Sequence, residues 1–173
     1  MDDSLAAHPR DSHRERVRVE PHHYEDFRAG AEYRTGERTI DDASIRAFAE
    51  VSGDFNPLHL DDAYAASTVF GGRVAHGVLG LAVATGLVAE THLTRGTLVA
   101  FVGLDWDFRA PLRPGDKVTA RLRVAETRRT SRRYRGLVRL AVQLVNERGE
   151  IVQEGTWTIL VRSRETGRNG DPT

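Results

Sequence analysis

Asp54 and His59 lie five positions apart in the run Ser52-Gly53-Asp54-Phe55-Asn56-Pro57-Leu58-His59, and a His76-Gly77 pair follows. Pro57 cannot continue a helix and pushes Asn56 toward extended geometry, so the chain must turn between the carboxylate and the imidazole. A carboxylate and an imidazole brought together across such a turn can hold and activate one water. That is general acid–base chemistry, and an imidazole, whose ordinary pKa is about 6.5, suits the base role near neutral pH. The bland reading is a helix-ending loop in which the Asp and the His are incidental. Asn56 fits an Asx-type role that stabilises the turn and orients Asp54.

Elements that would position this loop can be read on both sides of it. Tyr33 to Ile40 suits a short strand leading to Asp41 as a helix N-cap. Ile45, Phe48 and Ala49 then share a helical face that Gly53 terminates. Asp61 or Asp62 caps a short helix through Ala63, Tyr64 and Ala65, which Phe70-Gly71-Gly72 breaks. From Ala75 to about Leu93 apolar residues occur nearly all round, so this helix is expected to be buried on most sides. Gly80 and Gly86 weaken it and make sense where another backbone approaches closely.

The remainder alternates at period two. Leu104, Trp106 and Phe108 form a half-buried strand face ended by Pro111. Val118, Ala120, Leu122 and Val124 form a second, and Val138, Leu140, Val142 and Leu144 a third. Trp157, Ile159 and Val161 share a face in the last strand, Ile151 to Val161. Short turns at Pro114-Gly115-Asp116 and Glu147-Arg148-Gly149 imply an antiparallel sheet. One mostly buried helix and one curved antiparallel sheet make an α+β domain.

Composition narrows the function classes. The 173 residues suit one domain, with a formal net charge of zero and a pI of about 7.1, which argues against a nucleic-acid or anionic-membrane partner. The absence of cysteine excludes disulfides, thiolate metal sites and a thiol nucleophile. No apolar run reaches the roughly 18 residues that span a bilayer. The charged N-terminus lacks a signal-like apolar stretch, so the expected location is cytoplasmic. Residues 1–23 read as a polar, loosely attached extension, 24–161 as the folded unit, and 162–173 as a flexible tail. His8, His13, His22 and His23 lack the cysteine or acidic spacing of a metal tract, and no metal is expected. Arg128, Arg129, Arg132, Arg133 and Arg135 crowd one inter-strand connection, as a phosphate grip or as a solvated hairpin tip.

The run from Phe48 to Asp61, followed by Tyr64-Ala65, Phe70-Gly71-Gly72 and Ala75-His76-Gly77, resembles the MaoC-like hydratases, the (R)-specific enoyl-CoA hydratases of hot-dog fold. Phe108-Arg109-x-Pro111 and Gly115-Asp116 extend the resemblance over about residues 24–161. It implies a single hot-dog domain, its long central helix wrapped by the sheet. The implied activity is reversible hydration of a trans-2-enoyl-CoA to the (R)-3-hydroxyacyl-CoA, with the acyl-CoA thioester as substrate and no cofactor. A homodimer or higher homo-oligomer would cover the exposed sheet edge.

By the same resemblance Asp54 and His59 hold the water, and the Gly77 N–H is the oxyanion contact. His76 either touches substrate or bonds to the loop. Thr85 stands where some members carry a serine near the site, the alternative being a hydroxyl bonded back to its own helix. Arg129 and Arg132 are the possible contacts to coenzyme A phosphates. The opening Tyr24-Glu25-Asp26-Phe27-x-x-Gly30 resembles longer members that act on methyl-branched or dicarboxylic acyl-CoAs. Rival readings are a 3-hydroxyacyl-carrier-protein dehydratase, a hydratase of a branched dicarboxylyl-CoA, and a non-catalytic acyl-CoA-binding or partner subunit.

Overall fold

Rows of alternating β-branched and leucine side chains build the core of the protein, whose structure, a computed structural model, describes residues 20–165. Val118, Ala120, Leu122 and Val124 are buried along β3 (Lys117–Arg129), and Val138, Leu140, Val142 and Leu144 along β4 (Arg135–Asn146). Trp157, Ile159 and Val161 continue this layer on β5 (Ile151–Arg162). With β1 (Glu32–Thr39) and β2 (Leu98–Phe108), these strands form one sheet in the order β1-β3-β4-β5-β2, antiparallel throughout. Register shifts between Arg34 and Glu37, Val124 and Glu126, and Phe101 and Gly103 are the irregularities that let such a sheet curl.

The inner face of the sheet packs on α4 (Gly77–Glu90), whose Leu79, Ala84 and Leu87 join the strand residues in one core. Before it come α1 (Asp42–Ser52), α2 (Pro57–Leu60) and α3 (Asp62–Ala66). Their boundaries follow the local chemistry. Asp41 caps α1 by accepting from Ser44 N–H, Gly53 ends it at φ 75°, and Asp61 caps α3 by accepting from Tyr64 N–H. The α+β arrangement expected from sequence, one long helix held by a curved antiparallel sheet, is the one observed.

Several expectations require correction. The central helix begins at Gly77 rather than Ala75, because Ala75 N–H is drawn to Leu112 O and His76 stays extended at ψ 132°. It is not buried on most sides, since Val78, Ala82, Thr85 and Ala89 form an exposed stripe along it. The β2 face is likewise more open than a half-buried strand, with Leu104 49% and Phe108 55% exposed. Both departures leave apolar side chains uncovered among the described residues. Gly80 gives way to side chains, Gln153 and Leu112, rather than to another backbone, and among the described residues a Cβ at Gly86 would meet nothing within 4 Å.

Contacts to the folded unit are also made just beyond the bounds expected for it. His22, placed by sequence in the extension, donates its main-chain N–H to Leu93 O at 2.8 Å and sets its ring edge-on to Phe27 and Tyr33. At the other end Ser163 is buried and bonded to Glu25, and Arg164 pairs with Asp26. Residues 1–19 and 166–173 of the expected tails, with His8 and His13, lie outside the described residues. Among the described residues no helix is long and apolar enough to cross a membrane.

Candidate active site

The turn at residues 52–60 is assembled by its own side chains. Asn56 Oδ1 accepts from Leu58 N–H at 2.9 Å and caps α2, with Pro57 in the first helical position, where its missing N–H costs nothing. Asn56 N–H in turn donates to Asp54 Oδ1 at 3.2 Å, the Asx-type geometry expected of this segment. One carboxylate oxygen is thereby anchored. The other, Oδ2, stands 3.9 Å from His59 Nε2.

His59 is fixed from behind. Its Nδ1 lies 2.8 Å from Val74 O, and because a carbonyl only accepts, Nδ1 carries a proton, so that in the neutral ring Nε2 presents its lone pair. His76 is 3% exposed and holds the loop differently, with Nε2 donating to the main-chain oxygen of Asp54 at 2.9 Å. Its ring stacks on His59 with centroids 3.8 Å apart and leans on Phe48 at 5.0 Å. The bond to the loop, one of the two readings of His76 that the sequence left open, is present.

Two proton acceptors, Asp54 Oδ2 and His59 Nε2, thus face each other without a donor between them. A gap of 3.9 Å is too long for a direct hydrogen bond and fits a bridging water that donates one hydrogen to each side. Such a water would turn its lone pairs outward. Asp54, His59 and His76 also offer ligand atoms within 4.8 Å of one another, among the described residues the one grouping that could hold a cation. His76 Nε2 is committed to a carbonyl, however, and its remaining nitrogen, Nδ1, is buried without a hydrogen-bond partner.

The segment that delivers Val74 is tied down by Arg73, which bonds to Asp42 at the start of α1 and to Asp62 at the start of α3. The Arg73 guanidinium, and then that of Arg46, hold the Asp42 carboxyl below the usual carboxylate range. A depressed carboxylate stabilises the fold fully above its unfolded value of about 3.9, and that contribution is lost as pH falls through the lower folded value. The melting temperatures of wild type and Asp42→Asn should therefore differ at pH 7 and draw together only as the pH falls below about 3.9. A gap that stays constant with pH would assign the effect to something other than this carboxylate.

Gly77 opens α4 beside the loop, with its first-turn amides at the positive end of the helix dipole. A Cβ there would sit 2.9 Å from the ring of Phe108, so the approach to these amides is shaped by an aromatic wall from β2. Behind it, Gln153 donates to Gly77 O at 3.0 Å and accepts from the Trp106 indole at 3.0 Å. Val74, Gln153, Trp106 and Phe108 were not identified from sequence as parts of the site. A main-chain carbonyl such as that of Val74 leaves no sequence signal. Gln153 did leave one, as an amide on the buried parity of a strand whose other inward residues are Gly155, Trp157, Ile159 and Val161.

The remaining candidates are not gathered here. Thr85 lies two turns along α4, about 12 Å from Gly77, and its hydroxyl donates back to Ala82 O at 2.7 Å. Arg129 and Arg132 sit at the tip of the β3–β4 hairpin, beside the Arg162 end of β5, whereas Gln153 marks the end near the site, about 30 Å away along the strand. Arg129 bonds to Glu165, and Arg132 to the Tyr134 hydroxyl. They are therefore remote from the Asp54–His59 pair itself.

Residues 26–146 match the family model described as the MaoC like domain. The chain belongs to that family. An (R)-specific enoyl-CoA hydratase from Aeromonas caviae is 40% identical to this MaoC-like chain over 86 residues, 50% of this chain and 63% of that protein. A 3-hydroxybutyryl-CoA dehydratase from Methylorubrum extorquens is 38% identical over 100 residues, 57% of this chain and 61% of that protein. The chain thus spans less than two thirds of the length of these two relatives. Among solved structures, an R-hydratase from Pseudomonas aeruginosa superposes with a TM-score of 0.69 at 31% identity, covering 87% of this chain and 95% of that one. A monoamine oxidase regulatory protein from Archaeoglobus reaches 0.78 at 30% identity, covering 84% and 97%. The fold of the MaoC-like chain is the hot-dog fold that the sequence motifs implied.

Proposed function

We propose that the chain catalyses reversible hydration of a trans-2-enoyl-CoA to the (R)-3-hydroxyacyl-CoA. The observation that carries this reading is the pair of opposed acceptors, Asp54 Oδ2 and His59 Nε2, at 3.9 Å, with the tautomer of His59 dictated by Val74 O. The bridged water attacks C3 through its outward lone pair as one acceptor removes its proton. The C2=C3 electrons pass to C2 and the thioester oxygen, and a proton returned by the pair to C2 on the same face completes the addition. Charge developing on the thioester oxygen is met by the Gly77 N–H at the head of α4. The names of the Aeromonas and Methylorubrum relatives support the same chemistry. A spectrophotometric assay across straight-chain, branched and dicarboxylic enoyl-CoAs tests it, because loss of the conjugated double bond is read directly. No hydration of any substrate in the panel would refute it.

The working unit in this proposal is a homodimer. Leu98, Val99, Phe101, Val102 and Leu104 are exposed along β2, an edge strand whose outer side is unpaired among the described residues, and α4 carries a second exposed stripe. Edge-to-edge pairing of β2 with its twin would cover both. Val102→Glu should convert a dimer to a monomer in light scattering at micromolar concentration and reduce hydration with it. A wild-type protein that is monomeric and fully active would overturn this assembly.

A further inference from the structure

Gln153 is 2% exposed, yet its side chain is a full amide on a strand face otherwise packed with Trp157, Ile159 and Val161. A buried amide is costly unless its groups are bonded, and this one is bonded at both ends. The Trp106 indole N–H donates to its Oε1 and its Nε2 donates to Gly77 O, each at 3.0 Å, which also settles the orientation of the amide. Space for it is cleared in α4 itself, because a side chain at Gly80 would run into Gln153. Its acceptor, Gly77, is a residue with no side chain to restrain its own peptide planes.

We infer that Gln153, clamped by Trp106, is a positioning residue that orients the first peptide units of α4 so that their N–H groups point at the reacting thioester. This rests on the hydratase reading. The tether acts at the Gly77 carbonyl, fixing the Gly77–Val78 peptide and with it the direction of the helix end. It also runs from the edge strand β2 to that helix end, so the surface expected to meet the partner and the end expected to meet the substrate share one hydrogen-bonded chain.

Gln153→Met keeps length and apolar volume while removing both hydrogen bonds. Misaiming oxyanion donors should cost less than deleting one, so kcat should fall about tenfold with KM within about twofold. The shape of the pH profile should not change, since Asp54 and His59 are untouched. Trp106→Phe should act in the same direction with smaller effect, and the double variant should be no worse than Gln153→Met alone. In 1H–15N spectra the Gly77 and Val78 amides should shift in both variants. A folded Gln153→Met protein with wild-type kcat overturns the proposal. So does Trp106→Phe with wild-type kcat and unshifted Gly77 and Val78 amides, which decides the matter if Gln153→Met does not fold. A wild-type protein that hydrates no enoyl-CoA would instead refute the function, leaving the amide shifts to test the tether itself.

Discussion

Asp54→Asn should lower kcat for hydration of the best enoyl-CoA by at least about a hundredfold, the usual worth of a general acid–base group. The geometry gives the loss a specific cause. The substituted side chain keeps the oxygen that accepts from Asn56 N–H, so the turn survives. Its amide nitrogen takes the place of Oδ2 and becomes a donor facing the lone pair of His59 Nε2, 3.9 Å away. Two acceptors that share a water become a donor–acceptor pair that can close on each other and expel it. His59→Ala should cost as much, and the double variant little more than either single one, because groups acting as a unit lose function non-additively. The melting temperature should hold in Asp54→Asn, since active sites commonly trade stability for function. Retention of more than half the wild-type kcat by Asp54→Asn would disprove the mechanism.

Gly155→Ala should have the largest effect on stability, about 3 kcal/mol or more, or prevent folding. Gly155 pairs with Trp106 across the β5–β2 ladder, and a methyl group there would run into the main-chain oxygen of Asp105 and the Trp106 ring. Main chain cannot rotate aside as a side-chain tip can. The edge strand would have to detach, carrying Trp106 away from Gln153. Gly103→Ala, one strand over, meets only the Thr158 side chain at 3.4 Å and is the control expected to cost little. Denaturation midpoints separate the two variants. Equal midpoints would mean that β2 slides freely along β5.

Much of the fold and of the site is legible in the sequence, because it is governed by residues close along the chain. Asp41, Gly53, Asn56-Pro57 and Asp61 set the ends of α1, α2 and α3 through bonds that span at most four residues. Period-two burial of β3, β4 and β5 follows from side chains alternating across a strand. The Asp54–His59 pairing belongs to the same class, two side chains joined by one short turn.

What only the tertiary structure decided involves partners far apart along the chain. The His59 tautomer depends on Val74 O, the Asp54 main chain on His76, and the head of α4 on Gln153, 76 residues beyond Gly77. The placing of Arg129 and Arg132 relative to the Asp54–His59 pair is of the same kind. Charge density is a local property, but the end of a sheet on which it lands is set by strand order and register. The apolar residues of α4 and β2 carried the opposite ambiguity, since hydrophobic pattern states that a face will be covered and not by which chain. Sequence by itself determined which residues could share a proton and where the backbone must turn. The long-range hydrogen bonds that aim them arise only when the sheet closes on the helix, because each is a distance between atoms that chain connectivity leaves free.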